Sequence, residues 1–194
     1  PDALTVPLPE FGEILAPTFA LRDVRAKPDA EQPWLLLVKA LPIGTDMDAA
    51  TTGAEAQWTA SATRRFERLL RETRVPIGLL CNGTQLRLIY APRGENTGSL
   101  TFPVGAMTKV SGRPILAAFV ELLSRERLFS GPSEARLPAL LRKSRDYQAS
   151  VSTALAEQVL EALYELLRGF QAADEHTQGR LLGEVLKNAP NQVY

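Results

Sequence analysis

Asn82-Gly83 constrains this chain more tightly than any other pair of residues, because it sits between two strand-like runs. Asn and Gly are the residues that reverse a chain most readily, tolerating backbone angles that side chains with a branched Cβ resist. Upstream lies Val75 to Cys81; downstream, Gln85 to Tyr90 places Leu86, Leu88 and Tyr90 in alternation with Arg87 and Ile89. That period of two predicts an antiparallel hairpin with one face turned to a core.

A second strand pair is predicted upstream. Trp34 to Ala40 (WLLLVKA) is a short apolar run bounded by Pro33 and Pro42, which favours a buried strand over a helix. Thr18 to Arg25 reads as its antiparallel partner. Ser99 to Val104 reads as one more short strand, and the proline-rich first ten residues as extended chain. Between the pairs, Ala54 to Thr73 carries Trp58, Ala62, Phe66, Leu69 and Leu70 at steps of three and four, a helical face.

Beyond residue 110 only helices are expected. One runs from Arg113, with Pro114 near its start, to about Leu128. A helix or pair of helices follows from about Ser133 to Gly169, with Leu155, Val159, Leu163 and Leu166 as an apolar stripe. Gly169 and the polar stretch after it predict a break, and Thr177 to Lys187 a last helix. The stripe needs a packing partner, either the strand-rich region or a domain beyond the chain. These elements predict an α/β (α+β) fold with a mixed sheet, divided into residues 1–110 and a helical connector, 111–194. The abrupt ends at Pro1 and Tyr194 suggest a fragment of a larger protein.

Composition narrows the function classes. Hydrophobic residues make up 45% and charged residues 23%, as in a globular domain rather than a disordered chain. No apolar run is long enough to span a bilayer. One cysteine, Cys81, excludes an internal disulfide framework and fits a reducing, cytoplasmic compartment. Cys81 and the one histidine, His176, are too few for a Cys/His zinc site. With 22 basic and 22 acidic residues the chain has no net charge, so nucleic-acid binding would need a local basic face.

Two strands, a helix and a hairpin, with a lysine ending the second strand, resemble the PD-(D/E)XK nuclease core. The run Arg64 to Tyr90 (RRFERLLRETRVPIGLLCNGTQLRLIY) resembles the amino-terminal region of large fused restriction–methylase proteins. These are the type II and type IIG-like enzymes and their relatives in BREX and DISARM phage defence. Its P-x-G-L-L-x-N-G pattern is also similar to the nuclease domain of type I restriction subunits. Ser144 to Phe170 resembles the helical connector that precedes the methyltransferase domain in the fused proteins. The resemblance implies a parent that binds DNA, methylates adenine with S-adenosylmethionine and restricts unmodified DNA. No Asn-Pro-Pro-Tyr-type tetrapeptide or glycine-rich cofactor turn is present, so the chain itself is expected to need no cofactor and to methylate nothing.

The resemblance also assigns candidate site residues. A nuclease of this fold holds Mg²⁺ with an Asp and a second acid, and a lysine two residues after that acid positions the attacking water. Asp23 is the candidate first acid and metal ligand, and Lys39 the lysine. The second acid should stand at position 37, which is Leu37. A relocated acid, Glu31, Asp46 or Asp48, could complete the set, and Gln57 matches a glutamine that some such nucleases use. Asp46 and Asp48 also read simply as turn residues. Arg64, Arg65, Arg68 and Arg87 are the candidate DNA contacts, with Arg71 and Arg93 extending the patch, although Glu67 and Glu72 dilute it. The expected function is a DNA-interacting, degenerate nuclease-like module. Its rivals are an active Mg²⁺-dependent endonuclease and a scaffold that docks the methyltransferase or a partner subunit without touching DNA.

Overall fold

The computed structural model describes residues 4–27, 30, 33–50 and 58–180. Its architecture is mixed α/β, with one sheet of two strands and one of five. The proline-rich start is not simply extended. Strands β1 (Val6–Leu8) and β2 (Glu13–Leu15) pair antiparallel across a 3-10 turn, Pro9–Phe11. Pro9 suits the first position of that turn because its missing N–H needs no partner there. Gly12, at φ 61°, closes it in the left-handed region.

The larger sheet has the order β3-β4-β5-β6-β7, built from β3 (Phe19–Arg22), β4 (Trp34–Ala40), β5 (Ile77–Cys81), β6 (Gln85–Tyr90) and β7 (Gly98–Pro103). All neighbours are antiparallel except β4 and β5, which are parallel. A parallel pair needs a long crossover, and helix α1 (Ala62–Glu72) lies within it. Leu35, Leu36 and Leu37 are all buried, as expected of an interior strand covered on both faces.

The two faces carry separate cores. On one, Leu37, Leu80 and Ile89 pack with Phe66, Leu69 and Leu70 of α1 and with Leu8 and Leu15 of the small sheet. On the other, Leu36, Ile77, Leu88 and Phe102 pack with Leu137 and with Ile115 and Phe119 of helix α3 (Arg113–Leu122). Phe102 and Phe119 meet edge-on at 5.2 Å. A short helix, α2 (Val104–Met107), precedes α3.

Several expected boundaries move, each for a local reason. Helix α1 begins at Ala62, not Ala54, because Ser61 caps it and accepts a hydrogen bond from the Arg64 N–H. Trp58 therefore lies ahead of the helix, stacked on Phe11 at 4.8 Å. Residues 54–57 are outside the described residues. The helix expected over Arg113–Leu128 stops at Leu122. Ser124 accepts the Arg127 N–H and starts a separate π-helical turn, Glu126–Ser130. The Arg127 guanidinium bonds Glu121 and the Ala135 carbonyl.

The expected break at Gly169 is absent. Helix α4 runs without interruption from Leu137 to His176. A single helical glycine costs about 1 kcal/mol relative to alanine, too little to break forty residues of otherwise favourable helix. The helix ends at Gly179, φ 80°, whose N–H bonds the Asp174 carbonyl. Thr177 to Gly179, within the polar stretch expected to break the helix, form a turn; Arg180 is again helical, and residues 181–187 of the expected last helix lie outside the described residues.

Two compact units divide at Leu141/Arg142. Strands do give way to helices near residue 110, but α2, α3 and the first turn of α4 belong to the sheet-bearing unit.

Candidate functional site

Cross-strand register decides which candidate residues can meet. Phe19 pairs with Val38, so the residue opposite Lys39 is Thr18. Lys39 in turn pairs with Leu80, Leu80 with Arg87, and Arg87 with Thr101. The row Thr18–Lys39–Leu80–Arg87–Thr101 thus crosses the sheet at the end where β4 and β5 finish.

Asp23 lies at the other end. Its N–H bonds the Pro33 carbonyl, beside the start of β4, and its carboxylate accepts the Arg25 N–H in a local turn. In an antiparallel hairpin the end of one strand adjoins the start of the next. Asp23 is consequently about 16 Å along the strand from the level of Lys39, five residues at about 3.3 Å each. The structure does not bring Asp23 and Lys39 together. Glu31 and Gln57 lie outside the described residues.

The immediate surroundings of Lys39 hold no acid on either adjoining strand position. Thr18 Oγ1 accepts the Ala40 N–H at 3.0 Å, and Leu37 is fully buried. The Lys39 ammonium donates to the Ala16 carbonyl at 2.8 Å. Lys39 does line a cavity of about 240 Å³ with Glu13, Arg65, Leu41, Phe66 and Leu69. Glu13 is held there by Arg65, Nη2 to Oε1 2.7 Å. Among the described residues no three His, Cys, Asp or Glu side chains gather closely enough to hold a metal ion.

The relocated acids are otherwise engaged. Asp46 accepts the N–H groups of Asp48 and Ala49, which makes it a turn residue. Asp48 accepts two hydrogen bonds from Arg87, and its carboxyl is held below the usual carboxylate range, first by the Arg87 hydrogen bonds. Arg87 also donates to Thr63 and Thr101, and its hydrogen bonds to Asp48 raise its pKa, against the lowering effect of burial.

Most of the candidate DNA-contacting arginines are likewise held by the protein. Arg65 bonds Glu13 and the Trp58 carbonyl and lies over the Trp58 ring at 5.6 Å. Arg68 is shared between Glu10 at 3.2 Å and Glu72 at 3.0 Å. Arg71 donates to Thr97 and the Glu95 carbonyl. Arg64 is exposed, and its guanidinium makes no hydrogen bond or ion pair with another described residue. Arg64, Arg68 and Arg71 line one open groove with Ser61 and Glu67.

Sequence reasoning missed Glu13 and Thr18. Thr18 could have been found by pairing the two predicted strands and reading the position opposite Lys39. Glu13 carries no such signal, since it reaches the cavity through the small sheet.

One family model matches the chain: that of the MmeI N-terminal domain, over residues 13–169. No curated protein and no solved structure matches.

Proposed function

Because this chain belongs to the MmeI N-terminal domain family, a restriction–modification-related module, we propose that it is a DNA-interacting module whose nuclease-like site is degenerate. The observation that carries this reading is the setting of Lys39. A lysine stands at the end of an interior strand beside a cavity, as the resemblance to the nuclease core requires. The positions that would supply carboxylates to it are Thr18 and Leu37, one engaged with backbone and the other buried in the core. Mg²⁺ bound with substrate phosphate ordinarily takes one or two carboxylates in fixed geometry. Glu13 shares the cavity, but as the partner of Arg65.

Contact with DNA, on this reading, falls to exposed cations such as Arg64, which make phosphate contacts without sequence preference. Methylation with S-adenosylmethionine belongs to the parent protein, through a methyltransferase domain on the same polypeptide.

A second reading, an active Mg²⁺-dependent endonuclease, is favoured by one observation: Glu13 and Lys39 line the same cavity. One experiment separates the two. Supercoiled plasmid is incubated with the protein and Mg²⁺ or Mn²⁺, alongside measurement of duplex binding over a range of salt. The degenerate reading expects salt-dependent binding without nicking. Nicking that disappears in Lys39→Ala would establish the second reading, and an absence of binding even at low salt would leave a scaffold.

A further inference from the structure

A net charge of zero conceals an uneven distribution along this chain. Residues 104–145 hold eight of the 22 basic side chains and three of the 22 acidic ones. Residues 1–103 are balanced, eleven basic against twelve acidic, and residues 146–194 are acidic, three against seven. The excess of positive charge that attracts a phosphate backbone is therefore concentrated after the last strand, not on α1.

Packing decides which side chains of this segment meet solvent. Ile115, Phe119, Leu128, Leu137 and Leu141 all belong to the core on the sheet face away from α1. The cations between and beside these anchors are left outside. Lys109, Arg113 and Arg125 are exposed, and so are Arg142 and Lys143, which follow Leu141 on α4. At about 100° per residue, Lys143 stands on the far side of the helix from Leu141. None of these five side chains makes a hydrogen bond or ion pair with another described residue. Of the acids in the segment, Glu121 is held by Arg127, and Glu134 has partners of its own. The arginines of α1 are in the opposite condition. Arg65 is tied to Glu13, and Arg68 to Glu10 and Glu72, so a phosphate would have to displace a carboxylate to reach them. The free cations have only water to give up.

We propose that the helical segment from Lys109 to Lys143 is where this chain meets duplex DNA, with Arg113, Arg125, Arg142 and Lys143 on backbone phosphates. The proposal rests on the DNA-interacting reading above and adds to it the surface that makes most of the contact. No neighbouring side chain orients these cations, so they attract and position the duplex without reading its bases. The acidic run that begins at Asp146 sets the limit of the surface, because like charge repels a phosphate backbone.

The experiment uses the full chain and a short fluorescent duplex, with binding read by anisotropy over a range of salt. Arg113→Gln with Arg125→Gln, and Arg142→Gln with Lys143→Gln, are each expected to lower the slope of log K against log salt by about two. Arg64→Gln with Arg68→Gln on α1 is expected to lower it by no more than about one. Arg113→Lys with Arg125→Lys keeps the charge and should bind like the unaltered chain. All the substituted cations of the segment are exposed, so the urea midpoint should stay where it is. An unchanged slope in both glutamine pairs of the segment overturns the inference and leaves the DNA-interacting reading standing. No duplex binding even at low salt removes both. Poly-glutamate bound as tightly as the duplex, and lost in the same variants, overturns the inference in favour of an acidic protein partner.

Discussion

Arg87 on β6 grips Asp48, in the loop ahead of α1, through two parallel hydrogen bonds, Nη1 to Oδ1 at 2.6 Å and Nη2 to Oδ2 at 2.8 Å. The pair is lopsided: the arginine side chain is 12% exposed and the aspartate 65%. Thr63 Oγ1 completes the joint, donating to the Met47 carbonyl and accepting from Arg87 Nη1.

Removing Asp48 should therefore cost more than an exposed aspartate usually does, because it strands a nearly buried guanidinium. Asp48→Ala is expected to destabilise the fold by about 1–2 kcal/mol, with solvent screening keeping it below the values for fully buried pairs. Arg87→Lys, with Asp48 intact, should also lose stability, since an ammonium cannot make the two-pronged contact. Urea unfolding of both single variants and the double variant measures the coupling.

The same pair predicts an acid dependence. The folded-state pKa of Asp48 is depressed from its ordinary value of 3.8, so its contribution is complete above about that pH. It fades as pH falls further, through the lower folded value. The stability gap between the wild-type chain and Asp48→Asn should be constant from neutral pH to about 4 and narrow below it, which thermal melts across that range would detect.

Gly78 marks where α1 comes closest to the sheet. A Cβ there would lie 2.5 Å from Phe66 Cε1 and 2.9 Å from Leu70 Cδ1. Both neighbours belong to the packed core and cannot retreat without disturbing it. Gly78→Ala is expected to lose about 1–3 kcal/mol, and Phe66→Leu in the same chain should recover part of that loss.

Arg74 presents the opposite case. It holds φ 58°, the left-handed position just past the end of α1, where the Val75 N–H bonds the Leu70 carbonyl. Glycine adopts that conformation without the Cβ penalty. Arg74→Gly should raise stability by about 0.5–1 kcal/mol, read as a higher urea midpoint at unchanged slope.

Local pattern made much of this fold legible. Trp34–Ala40 and Gln85–Tyr90 are strands over the very residues that their apolar content and alternation mark out. Asn82 does more than turn the chain: its side chain accepts from the Thr84 and Gln85 N–H groups and donates to the Thr45 carbonyl. The N-terminal sheet was not legible, because each of its strands is three residues long, too short for a period to show. At the candidate site the hairpin could be read, and so could the burial of Leu37 in an apolar strand. The level at which Asp23 and Lys39 sit was not, because it depends on register, fixed by the whole strand pair. The pinning of Arg65 by Glu13 and of Arg87 by Asp48 was hidden for a related reason. Those partners come from segments 52 and 39 residues away.

The lone parallel pair also orders the events of folding. The β5–β6 hairpin closes over a few residues and can form within about 1–10 μs. β4 and β5 join only when Leu37 finds Gly78, across about forty residues of chain, and nothing on β4 can template that encounter early. The rate-limiting step is therefore expected to be the docking of two preformed hairpins along one seam, with α1 condensing over it as the seam closes.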